Sequence, residues 1–506
     1  MLVTIQQARL SFNFTDSQRN GDKYSGKVTY IFAFERSAHS ESATECQNSL
    51  ETDVFVGDNC LLVDLFPVKT ATSVCIDSIK CTRGKQVFMC KLHNEYLRLY
   101  TSEIRPQGDS ISIWKEKLCG CEYQQFEITL GFHAIIAPNG KDLVGIYSTD
   151  LSPASNADRL ASSGKNTVSL SEKKKTNERF LVTTFFEPHY ACLCFPCIDS
   201  PEFRIPWEID FLHESSRQVL SNMSPTNQRA QYFLRDSGIC RTQFPPTPPL
   251  PCYLLCWVIA PEFEEHRGDI TVERSSDIPE VVLFVPKGVR YSAQVPETVL
   301  YWVEKTLEMC TQYFDLPLDI PVFQIVLLPE MLIGGMECHG LTMLNLAKDV
   351  GVLSTKPSGD KRKKSHEREF YSLVVHEVIH HWVGNTVGMS FALKEGLTQH
   401  LEKEFYDKIA RGVSSSVHPS TAQKKELPID SKLKNAIEQR LRSIVSAENS
   451  SSAVFKGSVY MNAAKEIDTL ADLLGGDRLR RNLVQLVHER MFSFVSLNAA
   501  LEYMFA

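Results

Sequence analysis

Along the first half of the chain, apolar and polar residues alternate in short runs separated by polar turns. Lys27-Val-Thr-Tyr-Ile-Phe-Ala-Phe alternates in part, Phe126-Glu-Ile-Thr-Leu alternates cleanly, and Phe203 to Phe211 shares the texture with Pro206 interrupting it. A period of two puts one face of each run on a core and the other toward water, so residues 1–260 are predicted to form a mainly antiparallel β domain. A proline-rich stretch, Phe244-Pro-Pro-Thr-Pro-Pro-Leu-Pro, leads into its final strand, predicted at Tyr253-Leu-Leu-Cys-Trp-Val-Ile. The polar, acidic segment after Pro261 marks the boundary. Residues 261–506 then change period: Val299, Trp302, Val303, Leu307 and Cys310 recur at helical spacing within Pro296 to Phe314. Val322 to Leu328 reads as a strand, and residues 366–410 and 431–492 as mostly helical. Thr355 to Glu369, with the basic run Lys361 to Lys364, and Gly412 to Lys425 read as surface loops. No internal repeat is visible, which argues against a solenoid or propeller.

Composition narrows the function classes. The chain has 506 residues, 43% of them hydrophobic, enough apolar material for more than one folded core. Its 54 Lys+Arg against 61 Asp+Glu leave a charge of -7, which gives nucleic acid no electrostatic foothold. The longest apolar run, Tyr253 to Ala260, is too short to span a bilayer. The start, MLVTIQQARLSFNFTDSQRN, lacks a basic segment followed by an apolar block, so a cytoplasmic protein is expected. All 15 Cys fall between Cys46 and Cys338 and are expected to be free, buried thiols rather than a disulfide framework. The cluster Cys192-x-Cys194-x-x-Cys197 lacks a second Cys or His pair at metal-site spacing.

The sharpest local pattern is His376-Glu377-Val378-Ile379-His380, inside the apolar-periodic segment Tyr371 to Val383. On a helix, residues four apart project from one face about one turn apart, so the two imidazoles converge on one ion. Glu377, one step round the helix, is placed to take a proton from an attacking water. A catalytic zinc needs a third protein ligand and an open position. Glu395, His400 and Glu402, on a predicted helix from Phe391 to Glu402, are the candidates.

With these residues in view the chain resembles the zinc aminopeptidases of the gluzincin clan. That family takes in alanyl and puromycin-sensitive aminopeptidases, aminopeptidase B and the leukotriene-epoxide hydrolase. The resemblance extends over most of the chain: Phe186-Glu187-Pro188, Phe195-Pro-Cys-Ile-Asp-Ser-Pro201, Leu220-Ser-Asn-Met, Pro251-Cys-Tyr-Leu, Gly334-Gly335-Met336-Glu337, His376 to Asn385, Lys394-Glu395-Gly396 and Val459-Tyr460-Met-Asn-Ala-Ala, in the family's order. It implies an α+β multidomain chain: an N-terminal β-rich, saddle-like domain, then a thermolysin-like, mainly helical zinc peptidase domain. The usual C-terminal helical domain would be absent, since 46 residues follow Tyr460.

For the site, the resemblance implies that His376, His380 and Glu395 hold one Zn2+, with Glu377 as base and Tyr460 as donor to the developing oxyanion. Glu337 would bind the free α-ammonium of a peptide, with Glu187 near it, and Gly334, Gly335 and Met336 would lie along the substrate backbone. Three departures stand out. The interval from His380 to Glu395 is four residues shorter than the family's, leaving Gln399 at the family spacing; Cys338 stands where the signature has Asn, followed by His339; and Lys394 replaces Asn. The implied activity is hydrolysis of the first bond of peptides with free amino termini. Two readings compete with it. One is a weakened or inactive member kept as a protein-interaction scaffold, and the other is epoxide hydrolysis, supported only by Gly334-Gly335-Met336-Glu337 and Pro251-Cys-Tyr-Leu.

Overall fold

The computed structural model describes residues 2–15, 23–35, 49–51, 54–57, 60–67, 74–83, 86–93, 96–100, 124–137, 143–151, 180–225, 231–234, 238–268, 277–346, 361–412, 431–448 and 457–506. They form two compact units, Met1–Glu262 and Phe263–Ala506. The first is built from β-sheet and the second mainly from helices, a mixed α+β chain.

In the first unit the largest sheet is organised around Leu2–Asn13, Lys23–Glu35 and Gln124–Ile135, paired antiparallel in that order. The predicted alternation is visible in burial: Ala8, Leu10 and Phe12, then Val28 and Tyr30, then Ile128, Leu130 and Phe132 all face the core. The pairing is mainly antiparallel, and one strand pair among the described residues of this unit is parallel. Leu2–Asn13 also pairs with Trp207–Glu214, and that pairing is parallel. A parallel neighbour about two hundred residues away in sequence needs a long crossover, which local periodicity cannot signal. Trp207–Glu214 starts directly after Pro206, whose missing N–H suits a strand boundary.

A second, antiparallel sheet holds Gly145–Asp150, Phe180–Phe185, Trp257–Ala260 and Gln218–Ser221. Its last strand is shorter than predicted, because Cys252–Leu254 form a 3₁₀ turn after Pro251 and extended pairing begins at Trp257. Trp257 lies with ring centroids 4.5 Å from Phe12 and 5.2 Å from Phe186, so one indole joins the two sheets.

The second unit carries a five-stranded sheet in the order Phe263–Arg267, Glu280–Pro286, Val322–Leu328, Leu341–Asn345, Gly335–Met336. The middle pairings are parallel, which explains why Val322–Leu328 is apolar at every position but Gln324, with both faces covered. Gly335–Met336 pairs antiparallel to Leu341–Asn345 and forms one edge. Around the sheet, the described residues form helices α1 (Val295–Phe314), α2 (Lys361–Ile379), α3 (Phe391–Ala410), α4 (Ser431–Glu448), α5 (Gly457–Leu474), α6 (Gly476–Glu489) and α7 (Leu497–Met504).

Helix α2 begins at Lys361, so Lys361 to Glu369 is helical instead of loop. Lys, Arg and Glu are good helix formers, and the charge run that suggested solvent also extends the helix. The remainder of that loop expectation, residues 355–360, and residues 413–425 of the other lie outside the described residues.

Packing sets the two helices that matter here. Trp302 of α1 stacks on Tyr371 of α2 at 5.4 Å and on Tyr406 of α3 at 4.9 Å between ring centroids. Gly396 lets α3 approach α5 closely: a Cβ there would lie 2.8 Å from the Ala463 Cβ and 2.9 Å from Ile467 Cδ1. No helix among the described residues is long and apolar enough to cross a membrane.

Candidate metal centre

Helix α2 presents His376 and His380 on one face, and the helical hydrogen bond from His380 N to His376 O, 3.3 Å, carries that geometry one residue beyond the regular helix. The chain then turns sharply through Gly384, at a φ of +117°, and re-enters as α3. The short connection brings Glu395 onto the two imidazoles. Nε2 of His380 lies 3.0 Å from Nε2 of His376, Glu395 Oε2 lies 3.2 Å from His376 Nε2, and Glu395 Oε1 lies 3.5 Å from His380 Nε2. Among the described residues this is the one group of three such donors close enough to share an ion. Ligands bound at about 2.0–2.1 Å around a tetrahedral ion sit roughly 3.3–3.4 Å apart. The donor triangle and its chemistry, two imidazole nitrogens and a carboxylate, therefore suit zinc.

The far sides of the imidazoles are held as well. Glu402 Oε2 is 2.9 Å from His376 Nδ1, and Ser372 Oγ donates to Glu402. Nδ1 of His380 is 3.0 Å from the Val383 carbonyl oxygen, to which it donates, and 3.1 Å from Thr398 Oγ1. Each bond leaves Nε2 to face the centre and fixes the tautomer. Glu402, one of the three candidates for third ligand, thus sits behind His376. His400, another, pairs with Asp468 at 2.7 Å.

Charge in this pocket is balanced internally. Burial alone would lower the His376 pKa, but Glu395 and Glu402 outweigh it and hold it well above its ordinary value. Burial raises the Glu395 carboxyl, yet His380 and Lys394 more than reverse this and hold it far below the usual carboxylate range. Burial dominates at His380, whose pKa falls to about 4. It dominates also at Glu377, which is pushed well above its ordinary value. Glu377 lies against the edge strand: a Cβ on Gly335 would come within 2.6 Å of its Oε1, so that close approach requires glycine.

Glu337 follows that strand and is buried; Asn385 Nδ2 donates to its backbone oxygen at 2.6 Å. Its carboxylate is occupied by Lys394, with Nζ 2.5 Å from Oε1. In the sequence Lys394 stands out only as a replacement of Asn. The signal for its position, a lysine one residue before a ligand candidate, becomes specific only once α3 is seen to pass the edge strand.

His381 is buried as well, as is His339, whose ring centroid lies 5.8 Å from it; His381 accepts from Gly340 N at 3.3 Å, and burial lowers its pKa to about 4. It braces the loop that carries Glu337. Cys338 is buried beside it. Tyr460 lies in the first turn of α5, the helix packed on α3 through Gly396; its side chain is outside the described residues. Glu187 is buried in the first unit, in the turn after Phe180–Phe185. Cys194 and Cys197 are free, buried thiols whose pKa values burial raises, which keeps them neutral.

Two imidazole nitrogens and a carboxylate at these separations form a donor set that can hold a zinc ion. Residues 46–254 match the Peptidase M1 N-terminal domain and residues 300–502 match the Peptidase family M1 domain. The chain belongs to peptidase family M1, whose members are zinc metalloenzymes. It is similar to aminopeptidase Q of Mus musculus, at 29% identity over 46% of this chain and 40% of that protein. It is similar also to the puromycin-sensitive aminopeptidase of Caenorhabditis elegans, at 28% identity over 46% of this chain and 23% of that protein. Endoplasmic reticulum aminopeptidase 1 of Homo sapiens matches at 25% identity over 64% of this chain and 32% of its own length. The chain thus spans less than half the length of each of these relatives.

Proposed function

We propose that this chain is a zinc aminopeptidase that hydrolyses the first peptide bond of peptides with free amino termini. The observation that carries the reading is the convergence of His376, His380 and Glu395 within 4.8 Å, with Glu377 buried in the same pocket. One zinc per chain would be held by those three residues, and when bound it supplies Lewis acidity to the carbonyl under attack. Glu377 takes a proton from the attacking water and passes it toward the leaving amine. Glu337 anchors the substrate's α-ammonium at a fixed distance from the donor triangle, which limits cleavage to the first bond. The edge strand at Gly335–Met336 offers backbone groups along which an extended peptide can lie. Tyr460 is assigned the oxyanion contact by resemblance.

A second reading draws on Lys394, whose ammonium sits 3.4 Å from Glu395 Oε1 and opposes a dication there. A protein that kept the fold for interaction and lost turnover would carry such a residue. Zinc content of the purified protein, combined with hydrolysis of a panel of aminoacyl amide reporters, separates the two. The peptidase reading expects close to one zinc per chain and turnover of at least one reporter. Zinc-free protein without turnover after zinc addition leaves the scaffold reading.

Zinc affinity is expected to depend on pH through His376. Its folded-state pKa is raised, so below that value bound zinc must displace a proton, and affinity rises about tenfold per pH unit. The same shift acts oppositely on the metal-free fold. Its stabilising contribution is complete below the unfolded imidazole value and is lost as pH climbs through the folded one. Chelator competition from about pH 6 to about pH 8 reads the slope. A flat profile would mean that His376 carries no proton for the metal to displace over that range.

A further inference from the structure

Lys394 is buried to the same degree as a core residue: its side chain is 2% exposed and that of its partner Glu337 4%. The structure makes specific room for it. A Cβ on Gly384 would lie 2.8 Å from Lys394 Cδ and 3.0 Å from Cγ, so the lysine stem lies flat against a position that has no side chain. Gly384 is also held at a φ of +117°, where other residues are strained, so the gap cannot readily be filled by substitution. The ammonium group then meets three things: Glu337 Oε1 at 2.5 Å, Glu395 Oε1 at 3.4 Å, and the face of Phe391, whose ring centroid is 4.7 Å away. A carboxylate, a second carboxylate and an aromatic face are the surroundings that recognise a substrate ammonium.

We propose that Lys394 is a specificity-determining residue that takes over, within the chain, the positive charge a substrate's α-ammonium would bring to Glu337, so that free amino termini lose their advantage over acylated ones. The inference rests on the aminopeptidase reading, in which Glu337 is the amine anchor. Its physical basis is competition. The lysine is tethered beside the carboxylate and acts at high effective concentration. An incoming ammonium must either displace it or share Glu337 with a like charge in a buried pocket, where repulsion is weakly screened. A displaced Nζ keeps the face of Phe391 beside it. An acylated terminus carries a neutral amide and meets no such opposition.

The test compares the parent with Lys394→Met, which keeps the stem against Gly384 and removes the charge. Lys394→Asn is a second neutral variant should Met disturb folding, and Lys394→Arg keeps the charge. Calorimetric binding of leucine amide and of N-acetyl-leucine amide is measured on each protein, metal-free and zinc-loaded, alongside KM and kcat for the matching free and acetylated reporters. Both neutral variants should bind leucine amide about ten- to a hundredfold more tightly than the parent, with the acetylated probe unchanged and the Arg variant resembling the parent. Any gain in turnover should appear in KM for the free-amine reporter and not in kcat. Equal leucine amide affinity in parent and neutral variants overturns the proposal, and so does an equal gain for the acetylated probe. If no protein cleaves any reporter while the affinity gain is seen, the hydrolase reading fails and the role of Lys394 stands. Cleavage without the affinity gain leaves the hydrolase reading standing and removes that role.

Discussion

Glu377→Gln is expected to lower hydrolysis of an aminoacyl reporter by about a thousandfold or more while leaving zinc content unchanged. The carboxylate is absent from the donor triangle, so removing its charge leaves the two imidazoles and Glu395 in place. What is lost is the group that accepts a proton from water in the transition state. The substitution also has a signature without turnover. Burial raises the folded pKa of Glu377 above the ordinary carboxyl value of 4.5. Its contribution to stability is therefore full below that ordinary value and is lost as pH rises through the folded one. Glutamine has the shape of the protonated form and no proton to lose. Metal-free Glu377→Gln should then melt above the parent at neutral pH, with the gap closing as the pH approaches about 4. Undiminished hydrolysis would remove Glu377 from the base role, and a melting difference independent of pH would contradict the raised pKa.

How far such a site is legible in sequence depends on which distances are local. That His376 and His380 face the same way follows from helical periodicity alone, because the four-residue interval is shorter than any tertiary contact. That Val322–Leu328 is a strand follows from a β-branched and apolar run, broken by Gln324 alone, of the length a buried parallel strand needs. Where Glu395 sits is a different matter. It depends on how a short connection turns at Gly384 and on Trp302 clamping α2 and α3 through Tyr371 and Tyr406. Counting residues from His380 points at Gln399 as readily as at Glu395, and only the shared Glu-Gly step favours the latter. The Lys394–Glu337 pair joins residues fifty-seven positions apart and reflects the passage of α3 by the edge strand, for which no periodicity exists. The parallel pairing of Leu2–Asn13 with Trp207–Glu214 is hidden for the same reason. Charge patterning misleads in the other direction at Lys361 to Glu369, where solvation and helicity are compatible.

Removal of the Glu395 carboxylate should produce the largest loss of metal. Glu395→Ala takes away one of three donors and the carboxylate that faces Nε2 of both imidazoles, so zinc affinity should fall by well over a hundredfold, beyond the 10–100-fold typical of partners behind the ligands. Glu402, which holds His376 Nδ1 at 2.9 Å, supplies that comparison: Glu402→Ala should lower affinity within the smaller range. Gln399→Ala, at the interval relatives use, should leave zinc content unchanged. In the metal-free protein Glu395 contacts His376, His380 and Lys394. Its loss does not orphan the two cations, because His376 keeps Glu402 and Lys394 keeps Glu337. The stability cost should accordingly stay below the roughly 3–5 kcal/mol seen when a buried charge loses its only partner. Zinc content by metal analysis, affinity by chelator competition and melting of the metal-free variants together rank the three substitutions. A larger zinc loss in Gln399→Ala than in Glu395→Ala would mean that the shortened connection places a different part of α3 on the metal. Near-equal losses in Glu395→Ala and Glu402→Ala would instead make Glu395 a partner of His376 and leave the ion without a carboxylate ligand from this turn.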